Sequence, residues 1–313
     1  MANHSYRILL ALIAGPFVFG SATHSVDAAR QVFKRPAIQV NVDLTLVDVT
    51  VTDRDGRNIS GLAAENFRLW EDKIEQKVEY FSAEDIPATI GLVFDVSSSM
   101  DEKSSLARQA ISVFLRAGNR DDEYFLVEFN ARPRLVEDFT TDIDLLEQSV
   151  SSTKASGSTA LFDAVLFALD RVRDAHRTKK ALLLITDGQD NTSRHSLADT
   201  VEYLKEQDVE IFAIGTFADR YSPPKLLHRS GAETLTELTK TTGGQVFFVR
   251  SWELAEICKT IAEEIRSEYV IGYRSTNPAT DGRWRNIRIT VNTPGLVSHA
   301  VVRAKTGYFA PHR

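Results

Sequence analysis

The feature that most constrains the fold is a long alternation of apolar runs and helical patterns between residues 86 and 267. Runs such as ATIGLVF and KALLLIT are apolar over most of their length, and stretches such as SLARQAISVFLRAG, with apolar residues at helical spacing, lie between them. A strand that is apolar along its whole length is buried on both faces, and helices between such strands cover a parallel sheet. The sequence therefore predicts a doubly wound, mostly parallel, Rossmann-like α/β domain over residues 86–267.

Two stretches of short β segments flank this domain, at residues 39–85 and 268–311. The stretch VNVDLTLVDVTVTD alternates in polarity, which predicts a half-buried strand with Val40, Val42, Leu44 and Leu46 on one face. The Asp55-Gly56 pair that follows predicts a turn, since an EF-hand calcium loop would need further acidic ligands. Neither stretch has enough strands to bury a core alone. We expect both to form one small β-sandwich-like domain with the α/β domain inserted; two separate β units are the alternative.

The first 28 residues have the layout of a secretory signal peptide. A positive charge at Arg7 precedes an uncharged apolar run at residues 8–20, and small residues follow, with cleavage expected after Ala22 or Ala28. A buried N-terminal helix is the alternative, but Pro16 disfavours it. We predict export to the periplasm or the medium, a linker over residues 29–38, and no membrane span once the signal is removed.

Charge and cysteine content narrow the classes of function. The net charge is −6 and the pI is near 5.7, and there is no basic tract, so a nucleic-acid partner is not expected. The single cysteine, Cys258, excludes an internal disulfide framework and a lipid-anchored cysteine after the signal run.

Oxygen-bearing side chains follow the apolar strands at three places. Asp95 and Asp187 each end such a strand, Ser97 and Ser99 lie on the turn after Asp95, and Thr159 begins a helix in a third loop. Loops at the carboxyl ends of strands surround the crevice of a doubly wound sheet, so these groups are expected to converge. Oxygen ligands suit a hard divalent cation, Mg2+ or alternatively Mn2+ or Ca2+. Taken singly, each residue is better explained as a helix cap or a turn, and only the combination at the ends of these strands indicates a metal site.

In order and context, the segments DVSSS, GSTAL and TDGQD resemble the von Willebrand factor type A domain and its metal-ion-dependent adhesion site (MIDAS). GLAAENFRLWED, TALFDAV, LLLITDGQDN, EYVIGY and TGYFA are similar to bacterial proteins of the VWFA-related Acidobacterial type. The resemblance implies that the metal-site residues, bound directly or through water, are Asp95, Ser97, Ser99, Thr159 and Asp187. Ser98 stands where many members have glycine, at a position that is not a ligand.

The resemblance implies a function in adhesion, in which the bound cation ligates an acidic side chain of a partner protein. Binding of this kind is recognition without turnover, so no enzyme activity is expected. A hydrolase would need a positioned general base, for which the nearby candidates are His176, His195, Asp163 and Asp190. His195 is expected to face solvent. The alternatives are a metal-dependent hydrolase or assembly factor, and a scaffold whose ion only braces the loops.

The last helix of the α/β domain has apolar residues at helical spacing, among them Leu254, Cys258, Ile261 and Ile265. Cys258 is therefore expected to be a small core residue, and the helix is a candidate switch between the metal face and the β-domain. The loop at residues 217–233 is expected either to border the site or to be a plain surface insertion.

Overall fold

The computed structural model describes residues 44–215, 226–248, 253–266, 269–292 and 300–312. The predicted signal peptide and linker lie outside the described residues, as does most of the loop at 217–233. No helix in the described ranges combines the length and the apolar character needed to cross a membrane.

The described residues form fourteen strands, six α-helices and two short 3-10 segments. The strands are β1 (Thr45–Thr52), β2 (Phe67–Glu71), β3 (Ile74–Gln76), β4 (Val78–Ser82), β5 (Ala88–Asp95), β6 (Glu123–Phe129), β7 (Pro133–Thr140), β8 (Lys179–Thr186), β9 (Glu210–Gly215), β10 (Val246–Phe248), β11 (Tyr269–Tyr273), β12 (Trp284–Val291), β13 (Val301–Ala304) and β14 (Gly307–Phe309). The helices are α1 (Ser104–Ala117), α2 (Ile143–Ser152), α3 (Leu161–Val172), α4 (Leu197–Lys205), α5 (Leu226–Thr242) and α6 (Leu254–Arg266). The 3-10 segments are Ala64–Asn66 and Ser98–Lys103.

The central sheet has six strands in the order β10-β9-β8-β5-β6-β7. All neighbours are parallel except β6 and β7, which are antiparallel. Helices α1, α2 and α6 pack on one face, and α3, α4 and α5 pack on the other. The chain builds outward from β5 through β6 and β7, then crosses to β8 on the other side of β5, so strand order reverses between β5 and β8. This is the place where a doubly wound sheet opens a crevice.

The flanking strands form two four-stranded sheets, in the orders β13-β1-β11-β4 and β14-β12-β2-β3. Each sheet combines strands that precede the α/β domain with strands that follow it. Their facing sides share one core, which includes Val47, Leu69, Ile271 and Ile289. The predicted fold class, a doubly wound mostly parallel α/β sheet with a small β-sandwich built from both flanks, is confirmed. The exact domain boundaries stay a prediction.

Strand β1 corrects the predicted face. Val47, Val49 and Val51 are buried, whereas Leu46, which we had placed on the buried face, is 38% exposed. Leu46 and Val47 are adjacent apolar residues, and the alternation changes phase between them. Since side chains of a strand point to opposite faces in turn, only one of the two phases can face the core.

Strand β7 was not predicted. It begins at Pro133 and lies at the edge of the sheet, antiparallel to β6. Proline cannot donate to a strand ladder and is confined to edges and strand starts, which is where it lies here. The strand is partly exposed, so it lacks the apolar run that marks its neighbours.

The predicted turn at Asp55-Gly56 is present. Gly56 has a φ of +79°, and its amide donates to the carbonyl of Asp53 at 3.1 Å. The carboxylate of Asp53 accepts from the amides of Asp55 and Arg57, at 2.8 and 2.9 Å. The carboxylate is therefore used to hold the turn, as expected for a turn and not for a calcium loop.

Helix α6 buries the predicted apolar stripe against α1 and the sheet. The thiol of Cys258 donates to the carbonyl of Ala110 at 3.3 Å, and burial raises its pKa to about 12. Cys258 is thus an unreactive core residue. On another side of α6, the buried carboxylate of Glu264 lies 2.6 Å from the guanidinium of Arg303 on β13. That contact lacks hydrogen-bond geometry, so the two charges attract without a directional bond.

Candidate metal centre

The two candidate carboxylates lie at the carboxyl ends of β5 and β8, where strand order reverses. Asp95 is the last residue of β5 and is fully buried, and Asp187 directly follows β8 and is 1% exposed. β5 and β8 are hydrogen-bonded neighbours in register up to Phe94 and Ile185. Both carboxylates are therefore brought to the same crevice, as the sequence had predicted from their positions after apolar strands.

The first loop turns sharply after β5 so that its hydroxyls face one another. The Asp95 carboxylate accepts from the amide of Ser97 at 2.9 Å, and its other oxygen accepts from the hydroxyl of Thr186 at 2.6 Å. The hydroxyls of Ser97 and Ser99 lie 3.1 Å apart. Ser97 is fully buried and Ser99 is exposed, so the pair runs from the interior to the surface.

The second loop fixes the backbone of Thr159 next to the third loop. The amide of Thr159 donates to the side-chain carbonyl of Asn191 at 2.9 Å, and its carbonyl accepts from the amides of Asn191 and Thr192 at 3.0 and 3.2 Å. Thr159 is 3% exposed. Gly157, two residues earlier, has a φ of +84°, a conformation that favours glycine and lets the loop turn tightly.

The first loop is bonded to the second through the backbone and to the third through side chains. The amide of Ser98 donates to the carbonyl of Gly157 at 3.0 Å, and the amide of Ser156 donates to that of Val96 at 2.7 Å. The ammonium of Lys103 donates to the Asp187 carboxylate at 3.0 Å. Every pair of the three loops is thus joined by hydrogen bonds, so the candidate residues are held around one crevice.

Burial dominates the electrostatics of Asp95. It raises the pKa of the carboxyl to about 6, because the charged form loses its hydration, and the nearby charge of Asp187 acts in the same direction. The hydrogen bonds from Ser97 and Thr186 partly oppose this rise. Two carboxylates in one buried crevice need a compensating positive charge. Within the described residues, Lys103 supplies one through its contact with Asp187.

Three residues of this site were missed at the level of sequence: Lys103, Thr186 and Asn191. Thr186 immediately precedes Asp187, and Asn191 closes the TDGQDN segment, so both lie within the same motif as Asp187. A hydroxyl or amide beside a candidate ligand was the available signal. Lys103 offered none, because its contact with Asp187 is made between residues 84 positions apart.

The candidate general bases have structural roles. Asp163 accepts from the His195 ring at 2.7 Å and from the amides of Arg194 and His195, so it holds the third loop. Burial alone would raise the pKa of Asp163, but these hydrogen bonds hold it below its usual value. His176 contacts Glu123 at the start of β6, which is the opposite edge of the sheet.

The donor set fits a hard divalent cation. Asp95 and Asp187 offer carboxylate oxygens, while Ser97, Ser99 and Thr159 offer hydroxyls, and all are types that Mg2+ accepts. The described residues contain no group of three or more histidine, cysteine, aspartate or glutamate side chains suited to a metal. A cation in this crevice would therefore be held by hydroxyls as well as carboxylates, a donor set that suits a hard cation better than a soft one.

Several solved structures are similar to this chain. An aerotolerance-related membrane protein from Bacteroides fragilis is 17% identical, with 57% of this chain and 98% of that chain covered and a TM-score of 0.47. A von Willebrand factor type A protein from Catenulispora acidiphila is 15% identical, with 85% and 74% covered and a TM-score of 0.48. Proximal thread matrix protein 1 from the mussel byssus, in a structure with a zinc-occupied MIDAS motif, is 17% identical, with 63% and 50% covered and a TM-score of 0.49.

The sequence matches a protein-family model but no curated protein. A search of curated proteins found no match. The family model of the von Willebrand factor type A domain matches residues 89–261. The matched segment begins in β5, ends in α6 and makes up more than half of the sequence. This chain belongs to the von Willebrand factor type A domain family.

Proposed function

We propose that this protein is an exported, divalent-cation-dependent binding module that recognises an acidic side chain of a partner protein. The observation that carries the proposal is the joining of three loops around two buried carboxylates and three hydroxyl-bearing residues. Asp95, Ser97, Ser99, Thr159 and Asp187 would hold the cation, with Mg2+ as the expected ion. Export rests on the signal-like N-terminal sequence and is part of the same proposal.

The mixture of neutral and charged donors explains why the site would bind a partner. When bound, the divalent cation supplies a Lewis-acidic positive charge. Three of the five candidate groups are neutral hydroxyls, so the protein need not saturate that charge. Ser99 is exposed, which places the hydroxyl side of the crevice at the surface where a partner's carboxylate could approach. Charge-assisted contacts of this kind are strong and need no chemical step.

Recognition is better supported than hydrolysis. Asp163 is committed to His195 and to two loop amides, so it is not positioned to take a proton from water. Asp190 accepts from Ser193 and from the amide of Phe162. Both carboxylates therefore hold loops together through hydrogen bonds in this structure, and this favours a structural role for them.

The direct test is a magnesium titration by calorimetry, comparing the wild type with Asp187→Asn. The substitution keeps an oxygen donor and removes one negative charge, so Mg2+ affinity should fall on the order of a hundredfold. Asp121→Asn is the matched control, since Asp121 is exposed at the opposite edge of the sheet. Equal magnesium uptake by wild type and Asp187→Asn would overturn the assignment of the ligands.

Binding of a partner carboxylate can be tested by NMR with the peptide acetyl-Gly-Gly-Glu-Gly-Gly-Gly-amide. Adding the peptide should change the chemical shifts of the protein in MgCl2, and the changes should vanish in EDTA. A peptide with glutamine in place of the glutamate should cause no such changes. Uptake of Mg2+ without any response to the glutamate peptide would mean that the ion only braces the loops.

Magnesium affinity should depend on pH through Asp95. The cation binds the deprotonated carboxylate, and the pKa of Asp95 is raised to about 6. Affinity measured by calorimetry should therefore fall about tenfold between pH 7 and pH 5.

The metal-free protein should show the opposite trend in stability. Because the folded pKa of Asp95 lies above its ordinary value, protonation stabilises the fold at low pH. That contribution should be lost as the pH rises from about 4 to about 6 in EDTA. An affinity for Mg2+ that is unchanged between pH 5 and pH 7 would contradict a direct role for Asp95.

A further inference from the structure

A cavity of about 610 Å3 opens beside the candidate metal centre. It lies between the end of β6, the start of β7 and the loop that follows α2, and Val96, Asn130 and Pro133 are part of its lining. Its walls are polar and charged as well as apolar, so it differs from a hydrophobic groove.

The cavity and the metal centre share part of their backbone. Val96, which lines the cavity, lies directly between Asp95 and Ser97. The carbonyl of Asn130, another lining residue, accepts from the amide of Ala160 at 2.7 Å, directly after Thr159. The wall of the cavity and the candidate metal centre are therefore adjacent along the backbone.

Positive charge predominates in the lining. Arg132, Arg134 and Lys154 line the cavity, and the one acidic residue of the lining is Glu128. Glu128 is buried, with a 2%-exposed side chain, and accepts from Arg134 at 2.9 Å and from Thr153. Arg134 is thus neutralised locally. Arg132 and Lys154 are exposed and make no salt bridge to a described residue, so their two charges are available to a ligand.

We propose that this cavity binds a second carboxylate of the partner segment whose first carboxylate ligates the cation. The inference rests on the proposed function and adds the class of partner: an acidic segment with two carboxylates a few residues apart. An extended chain advances about 3.3–3.6 Å per residue, so carboxylates two or three residues apart are separated by about 7–11 Å. This suits a cavity whose wall begins one residue from Asp95. The positive charge of the lining contrasts with the net charge of −6 of the whole chain, so an acidic ligand would be attracted to this place in particular.

The test compares two peptides by NMR titration in MgCl2: acetyl-Gly-Gly-Glu-Gly-Gly-Gly-amide and acetyl-Gly-Gly-Glu-Gly-Gly-Glu-amide. Two equivalent glutamates give a statistical advantage of about twofold, and engagement of the cavity should raise the advantage to about tenfold. The advantage of the two-glutamate peptide beyond twofold should shrink as the KCl concentration is raised, because ionic contacts at the surface are screened by salt.

The decisive variant is Arg132→Gln/Lys154→Gln. It should reduce the advantage of the two-glutamate peptide to about twofold, while affinity for the one-glutamate peptide changes little. Arg134 is left in place, because its loss would leave buried Glu128 without its cation. The control Arg120→Gln/Lys259→Gln removes the same charges from exposed positions elsewhere on the domain and should keep the full advantage.

The outcomes separate the two proposals. Magnesium-dependent binding of both peptides with only a twofold difference overturns the cavity inference and leaves the proposed function standing. Failure of the one-glutamate peptide to bind in MgCl2 overturns the proposed function, and the inference falls with it. A tenfold advantage that survives Arg132→Gln/Lys154→Gln assigns the second carboxylate to another place and also overturns the inference.

Discussion

Replacing Lys103 with methionine should destabilise the metal-free protein by about 3 kcal/mol and make it depend on magnesium for stability. The Lys103 ammonium lies 3.0 Å from the carboxylate of Asp187, and the two side chains are only 13% and 2% exposed. Methionine keeps an unbranched apolar chain but removes the charge. Asp187 and Asp95 would then share a buried crevice without that cation, a situation that strongly disfavours the folded state.

Magnesium should reverse the effect, because a cation at Asp187 supplies the charge that the variant lacks. Lys103 and a cation at the proposed site would both pair with the Asp187 carboxylate, so Lys103→Met should bind Mg2+ about tenfold more tightly. Thermal unfolding in EDTA and in MgCl2 measures both consequences. Lys259→Met is the control, since Lys259 is exposed on α6. Equal unfolding temperatures of the variant and the wild type in EDTA would show that Lys103 does not compensate these carboxylates.

Replacing Arg303 with methionine should lower the free energy of unfolding by about 3 kcal/mol. Arg303 on β13 faces Glu264 on α6, and their side chains are 17% and 1% exposed. The variant would remove the positive charge of Arg303 that lies beside the buried carboxylate of Glu264 on the last helix of the α/β domain. Urea unfolding followed by tryptophan fluorescence provides the measurement.

The second substitution Glu264→Gln should restore much of the stability lost in Arg303→Met, because it removes the buried charge itself. Arg283→Met serves as the control for loss of an arginine, since Arg283 has a side chain that is 81% exposed. If Arg303→Met and Arg283→Met unfold at the same urea concentration, the Glu264–Arg303 pair contributes nothing to stability.

The parts of the site that the sequence could predict are those set by strand ends. Asp95 and Asp187 follow apolar runs, and the carboxyl ends of parallel strands meet at one edge, so their convergence follows from position alone. Ser97 and Ser99 share a turn with Asp95, so their position in the crevice follows from that of Asp95. Lys103 could not be foreseen, because its partner is far along the chain and the contact exists only once the sheet has formed.

The fold was predictable where burial gives an unambiguous pattern. The strands β5, β6, β8 and β9 are buried along nearly their whole length and stand out as apolar runs. Strand β7 at the edge of the sheet and strand β1 in the sandwich do not stand out as apolar runs. Strand β7 is only partly buried. In β1 two apolar residues are adjacent, so either set of alternate residues could face the core, and packing against the opposite sheet determines which set does.

The pairing of β4 with β11 has a consequence for how the protein is made. Ser82 and Val270 are partners across these strands, so the α/β domain begins and ends at neighbouring points of the sandwich. The tyrosine hydroxyl of Tyr269 even contacts the amide of Leu62, 207 positions earlier. When the chain folds in order from its N-terminus, the first half of the sandwich must wait for the second half, because the whole α/β domain lies between them. Strands β1, β2 and β4 should therefore stay exposed longest during folding, because they pair with β11 and β12.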